Sequence, residues 1–332
     1  MAEHLHRLRD SRVFVAGHRG LVGSAIVRRL ETLGCRNVLV RSRSELDLCV
    51  QAVVDDFFRE HRPEFVFLAA AKVGGILANA THPAEFLRDN LAIQTNVIHA
   101  AWMYGARKLL FLGSSCIYPR LAPQPIKEEY LLTGPLEATN AAYAIAKIAG
   151  LKLADAYHAQ YGFSTISLMP TNLYGPGDNF DLQSSHVLPA MMRRFHEAKM
   201  SGSSSVTLWG SGMPRREFLH VDDLANAACF LMDNYDAPDL LNIGVGEDLT
   251  ISELAALVAR IVGYGGTILF DPSFPDGTPR KLLDVSRIHA LGWHAQIPLE
   301  RGIALTYEWY QKQTFNVASG PKSRAGGSAA IA

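Results

Sequence analysis

Cysteine is scarce in this chain: 4 of 332 residues, at positions 35, 49, 116 and 229. None forms a C-x-x-C pair, which argues against a zinc knuckle or a dithiol redox site. Such low and irregular usage fits a reducing cytoplasm rather than a disulfide framework. Long apolar runs are missing too. With no run of about 18 apolar residues, no membrane span is expected. The opening MAEHLHRLRDSR is polar, so no secretory signal is expected. Neither sign of charge is in excess: 32 Lys and Arg stand against 32 Asp and Glu. That balance argues against a nucleic-acid partner, which usually selects a basic excess. No internal repeat occurs at a fixed period.

What is present reads as an ordinary globular chain, 48% hydrophobic and 19% charged. At about 150 residues per domain, two domains are expected. A chain of this size builds a full core without metals or disulfides.

The first half alternates β-type runs with helical patterns. Arg12 to Ala16 is a buried-strand run. Val22, Ile26, Leu30 and Leu33 then mark one face of a helix that Gly34 ends. Strands are expected at Val38–Val40, Phe65–Ala69, Leu109–Leu112 and Thr165–Met169, and helices at Leu48–Glu60, Pro83–Tyr104 and Asn140–Tyr161. Strands separated by helices pair in parallel through right-handed crossovers. The reading is therefore α/β, a doubly wound parallel sheet. After Thr171 the loops become rich in Gly, Pro and Asn, and Thr250-Ile-Ser-Glu253 has capping-box spacing for a helix ending at Gly263. A smaller C-terminal α/β domain is expected there.

Gly17-His18-Arg19-Gly20-Leu21-Val22-Gly23 follows the first strand and opens a helix. Glycines in this setting allow a tight turn, close approach of a pyrophosphate and close helix–strand packing. The helix N-terminus offers free N–H groups to phosphates. This is the dinucleotide site of a Rossmann sheet. At the end of strand two an acid selects NAD, whereas arginine accommodates the 2′-phosphate of NADP. The chain has Val40-Arg41-Ser42-Arg43 there, with Glu45 as the first acid after it, so NADP(H) is the expected cofactor.

Strand four runs into Gly113-Ser114-Ser115-Cys116, and Tyr143-Ala-Ile-Ala-Lys147 lies in the following long helix. Spacing i, i+4 puts Tyr143 and Lys147 on one face. A nearby ammonium favours the phenolate, so such a tyrosine can exchange a proton near neutral pH. A serine at the strand end can hydrogen-bond the same substrate oxygen.

The glycine loop, the strand-four serine and Y-x-x-x-K together resemble the extended short-chain dehydrogenase/reductase family. GHRGLVGSAI, LAAAKVGGI, FLGSSCIYP, YAIAKIAG, MPTNLYGP, SHVLPA, REFLHVDD and PDGTPRKLLDV are similar to its branch of GDP-4-keto-6-deoxy-D-mannose 3,5-epimerase/4-reductases. The resemblance spans about Arg12 to Gln311. Two departures stand out: Ala141-Ala142 occupy the place where that branch usually has Glu-Pro, and the chain is short between Met232 and Asn242.

The resemblance implies a two-step conversion to GDP-L-fucose, in which epimerisation at C3 and C5 precedes hydride reduction at C4. Tyr143 would protonate the C4 oxygen, Lys147 would hold the nicotinamide ribose, and Ser114 would orient that oxygen. Cys116 and His186 would be the epimerase acid/base pair. The C4 ketone acidifies the hydrogens on C3 and C5, and a thiolate with an imidazolium can serve both centres near neutral pH. The cofactor is expected to meet Leu112, Gly113 and Ser115 at the end of strand four. Beyond strand five it is expected to meet Pro170, Thr171, Asn172 and Leu173, and also His186. The GDP-sugar would be held by Arg194, Trp209, Arg216 and Asp276, with Lys281 joining them; Asn179 and Lys72 are weaker candidates for the pocket. No metal site is expected. A homodimer is implied, paired through the helices at Pro83–Tyr104 and Asn140–Tyr161. The competing readings are a GDP-sugar 4-reductase with little epimerase activity and a non-catalytic NADP-sensing protein.

The expected division is 11–171 plus about 215–243 as the NADP-binding domain, and 172–214 plus about 244–315 as the substrate domain. A disordered tail is expected over 316–332.

Overall fold

A computed structural model describes residues 6–75, 79, 81–182, 184–274 and 276–319. In its first half, strands Arg12–Ala16 (β1), Asn37–Leu39 (β2), Phe65–Leu68 (β3), Lys108–Leu112 (β4) and Ser164–Pro170 (β5) alternate with helices. These are Leu21–Thr32 (α1), Gln51–His61 (α2), Pro83–Met103 (α3) and Ala141–Tyr161 (α4). Then come Asn172–Tyr174 (β6), Val187–Ser201 (α5), Ser205–Trp209 (β7), Arg215–Arg216 (β8) and Phe218–His220 (β9). The chain continues through Val221–Asn234 (α6), Leu240–Ile243 (β10), Leu249–Thr250 (β11) and Ile251–Val262 (α7). It closes with Thr267–Asp271 (β12), Arg280–Lys281 (β13), Ser286–Ala290 (α8) and Leu299–Ser319 (α9).

Six parallel strands form the main sheet in the order β10-β5-β4-β3-β1-β2. The chain winds outward from β1 to β2, then returns to the other side of β1 at β3. That reversal places a crevice at the carboxyl ends of β1 and β3, where ligands enter such sheets. β1, β3 and β4 are almost wholly apolar and buried, because helices cover both faces.

α2 begins at Gln51, three residues later than the sequence pattern predicts. Asp47 captures the preceding turn: its carboxylate accepts the Cys49 N–H at 3.0 Å and its carbonyl accepts the Val50 N–H at 3.0 Å. The capping box on α7 forms as expected, with Thr250 Oγ1 accepting the Glu253 N–H at 3.1 Å and Glu253 accepting the Thr250 N–H at 2.7 Å.

Among the described residues two apolar cores form. One fills the main sheet and takes in Leu283, Val285, Ile288 and Trp293 from late in the chain. The other gathers Tyr174, Leu188, Phe195, Leu208, Phe218, Leu254 and Ile303. The last helix runs on to Ser319, past the expected start of the tail. The rest of that stretch, 320–332, lies outside the described residues. Among the described residues no helix is long and apolar enough to cross a membrane.

Candidate active site

The three glycines of the first βα turn are small for different reasons. Gly17 has φ +91°, and a Cβ there would lie 2.8 Å from the Ala70 backbone. Gly23 lies against Gly17 itself. At Gly20, by contrast, a Cβ would find only the Gly17 carbonyl oxygen, at an ordinary 3.5 Å. Protein contacts do not require that glycine. It is exposed at the N-terminus of α1, where no side chain caps the first N–H groups. An open cradle facing uncapped helical N–H groups fits a pyrophosphate.

Beyond β2, Arg41 lies 5.6 Å from the Phe57 ring and 3.2 Å from His61 Nε2. Arg43 is largely exposed, 3.5 Å from Asp47. Glu45, the first acid in this stretch, turns back onto Ser42, accepting from its N–H at 2.7 Å and its hydroxyl at 2.6 Å. That carboxylate is engaged, and two guanidiniums remain for an anion.

Beyond β4, Ser115–Ile117 makes one 3-10 turn capped by Ser114, whose Oγ accepts the Cys116 N–H at 3.3 Å. Tyr118, two residues on, donates to Asn242 Oδ1 at 2.6 Å. The turn is thereby tied to β10.

α4 reaches this turn because of Gly150. A Cβ there would lie 2.4 Å from Gln94 Oε1 and 2.6 Å from Phe111 Cζ. The close approach brings Lys147 Nζ within 2.7 Å of the Leu112 carbonyl and over the Phe111 ring at 4.9 Å. The same ammonium lies 5.8 Å from the Tyr143 ring centre. Burial pulls Lys147 down to about 8 and pushes the Tyr143 phenol upward, with Cys116 adding to the latter. Lys147 is bonded to the Leu112 carbonyl rather than to the phenol, and burial favours the protonated form of Tyr143.

Cys116 is buried, and burial raises its thiol; Lys281, Ser114 and Lys147 act in the opposite direction. His186 precedes α5 at its N-cap. Its edge is open, yet its surroundings are dense enough that desolvation lowers the imidazole, with Lys281 adding to the effect. Burial thus favours the neutral forms of both, thiol and imidazole.

A cavity of about 50 Å³ opens beside Cys116, lined also by Ser115, Asn140, Glu137, Thr278 and Lys281. Asn140 was not singled out from the sequence. Its Oδ1 is buried without a partner, which is costly unless a ligand donor meets it. A polar residue directly before the tyrosine helix was the available signal.

The expected substrate residues are drawn together on the second core. The Arg194 guanidinium lies 5.5 Å from the Trp209 ring centre and donates to the Thr207 carbonyl at 3.2 Å. Trp209 is 58% exposed and stacks on Phe274, with ring centres 4.4 Å apart and planes 7° from parallel. Asp276 accepts from the Ser211 N–H and hydroxyl, both at 2.7 Å. Burial lowers Arg216, which Asp276 partly offsets.

Some expected residues are committed to the fold. Thr171 and Asn172 both donate to the Glu217 carbonyl, at 3.2 and 2.8 Å. Lys72 pairs with Glu85 and Asp89, and Asn179 braces the loop before His186 through Ser184 at 2.9 Å. Glu217 itself was missed. Fully buried, its carboxylate accepts the N–H groups of Val245 (2.6 Å), Gly246 (2.8 Å) and Leu283 (3.0 Å). It fastens the strand carrying Arg216 to the segment following Lys281.

A probable GDP-L-fucose synthase 1 from Oryza sativa subsp. japonica is 58% identical over 315 residues, 95% of each chain. The GDP-L-fucose synthase of Escherichia coli (strain K12) is 56% identical over 308 residues, 90% of this chain and 96% of that one. A solved GDP-L-fucose synthetase from Naegleria fowleri bound to NADP superposes with a TM-score of 0.86 at 29% identity, covering 95% of this chain and 96% of its own. A model of the NAD dependent epimerase/dehydratase family matches residues 13–244, and with these relatives alongside it, the chain belongs to that family.

Proposed function

We infer that the protein converts GDP-4-keto-6-deoxy-D-mannose to GDP-L-fucose with NADPH. The observation that carries this is the meeting of Ser114, Cys116, Tyr143 and Lys147 at one end of the sheet, beside a glycine loop with an open Gly20. The named relatives support the substrate, and the NADP-bound structure supports the cofactor. Gly17, Gly20, Gly23, Arg41 and Arg43 would hold NADPH, which supplies the hydride for C4.

The chain's own groups handle the protons. Cys116 and His186 would invert C3 and C5 through an enolate, one taking a proton and the other returning one on the opposite face. Ser114 would orient the C4 oxygen. Its Oγ already accepts from Cys116 N–H, so its own proton is the one to donate. Tyr143, kept protonated by burial, would give its proton to that oxygen as C4 is reduced. Arg194, Trp209, Arg216 and Asp276 would hold the GDP portion.

The two apolar cores support a two-domain division near the expected boundaries, with about 283–293 returning to the first. A homodimer through α3 and α4 is supported by Met103, Ile145 and Tyr161, large apolar or aromatic groups left exposed on these helices. A cytoplasmic location is consistent with free cysteines throughout.

The test is turnover of the keto sugar nucleotide with NADPH in D₂O. NMR should find GDP-L-fucose carrying deuterium at C3 and C5. Reduction without label at either carbon would leave a 4-reductase and remove the epimerase step.

A further inference from the structure

Two short strands sort four cations. β8 and β13 pair in parallel, with Arg215 opposite Arg280 and Arg216 opposite Lys281. Alternation sends the two pairs to opposite faces. On one face Asp248 takes both guanidiniums, Arg215 at 2.7 Å and Arg280 by a still closer contact. On the other face Arg216 and Lys281 stand side by side. Among the described residues no carboxylate pairs with Lys281, and its ammonium has no hydrogen-bond partner. Like charges directly opposite oppose strand pairing, so this face is arranged for something other than stability. The cavity wall supplies it: Lys281 and Cys116 line the same small space. The other nearby cations are engaged: Lys147 is bonded to Leu112, and Arg120 and Arg280, which line the same cavity, pair with Glu137 and Asp248.

The geometry points to Lys281 as a positioning residue for the epimerisation: its ammonium, in the same cavity as Cys116, stabilises the thiolate that takes the proton from the sugar. This deepens the reading above and rests on its assignment of Cys116 and His186. Lys281 is the strongest influence opposing the effect of burial on the thiol. It also lowers the imidazole, and an imidazolium with a lowered pKa is a stronger acid. One charge therefore favours the deprotonated form of both groups: more thiolate stands ready as base, and an imidazolium, once formed, gives up its proton more readily. The groups facing Cys116 are Lys281, Lys147, Tyr143 and Ser114, with Arg120, Glu137 and Arg280 on the same cavity wall; those facing Lys281 are Cys116, Arg216, Glu137 and His186, and burial lowers its ammonium while Cys116 and Glu137 oppose that.

In the step itself, the thiolate takes the proton from C3 or C5. The C–H electron pair becomes the carbon–carbon double bond of the enolate, and the carbonyl pair moves onto the C4 oxygen. The imidazolium N–H then protonates the opposite face as the carbonyl re-forms. No redox partner is needed. The thiol and imidazole exchange the proton with solvent before the next inversion.

The test uses Lys281→Met and Lys281→Arg. Thiolate absorbance near 240 nm is followed against pH in each, and subtracting the matching Cys116→Ala protein cancels the other three cysteines. The Met variant should shift the Cys116 titration up by about one pH unit or more, leaving about a tenth of the thiolate at neutral pH. The Arg variant should restore it. Deuterium entry at C3 and C5 should slow by about the same factor in the Met variant. An unmoved titration overturns the assignment and leaves Lys281 as a substrate ligand seen only in KM. A wild type that reduces C4 without label removes the epimerase reading and this role with it, whereas a labelled wild type with an unmoved titration removes this role alone.

Discussion

A methyl group on Gly23 would lie 2.1 Å from the Gly17 carbonyl oxygen, closer than any two such atoms can sit. The corresponding methyl on Gly20 meets nothing nearer than 3.5 Å. Gly23→Ala should therefore disturb the first turn and lower the unfolding midpoint. Gly20→Ala should unfold like wild type yet weaken NADPH by about tenfold or more, since its methyl fills the space before the helix N-terminus. Fluorescence titration with NADPH beside a thermal melt separates the two. Equal losses of stability would show that Gly20 is also a packing glycine.

Tyr143→Phe keeps the ring and removes the donor. Losing a positioned general acid typically costs about 10²–10⁴-fold in rate. Reduction should fall by that order, while NADPH affinity stays near wild type. A variant reducing the keto sugar at wild-type speed would make Tyr143 structural.

Among the described residues the exposed Arg43 side chain pairs only with the half-buried Asp47, so its removal should cost little stability. Hydrogen bonds to charged groups are worth about 1.5–3 kcal/mol. Arg43→Ala should weaken NADPH by about 10- to 100-fold and leave NADH use nearly unchanged. Parallel losses with both cofactors would contradict 2′-phosphate recognition.

Lys147 titrates at about 8 because burial disfavours its charge. The ammonium is present below that pH and lost above it. kcat/KM for NADPH should therefore fall on the alkaline side with an apparent pKa near 8. Arginine stays protonated, so Lys147→Arg should move that limb upward even if its rate is lower. A limb unchanged in the variant would belong to another group.

Glu217→Gln places an amide NH₂ against N–H donors that now share one carboxylate. The loss should be about 1–3 kcal/mol, read as a lower denaturant midpoint. Because the clamp spans Arg216 and the segment after Lys281, KM for the GDP-sugar should rise with it. A midpoint unchanged from wild type would mean that the three donors find other acceptors.

The sequence was most legible where periodicity is long. α1, with Ile26 and Leu30 buried and Gly34 just beyond it, and α7, with its Thr250–Glu253 box, fall where the pattern puts them. The site's chemistry was legible as residue types at fixed spacing: three glycines, a strand-end serine, and Tyr143 four residues before Lys147. Its charge states were not. They depend on burial and on Leu112 taking the ammonium, which no spacing records. β8, β11 and β13 are two residues each, too short to carry a period of two. Glu217 reads as one more surface acid until the backbone amides from distant segments converge on it. Asn140 likewise looks like an ordinary loop amide.

The pairing of β8 with β13 has a consequence for how this chain tolerates change in length. Strand faces alternate with a period of two, so a slip of one residue exchanges them. A single insertion or deletion between β12 and β13 that shifted the register would hand Lys281 to Asp248 and put the Arg280 guanidinium in the place of the Lys281 ammonium. The net charge of the ribbon would be the same, but a rigid, forked guanidinium would stand where a single ammonium now does. Changes of two residues would preserve the present faces. Length variation in that loop, where it shifts the register, is thus felt by parity rather than by size: odd changes exchange the ammonium beside Cys116 for a guanidinium, and even changes keep it.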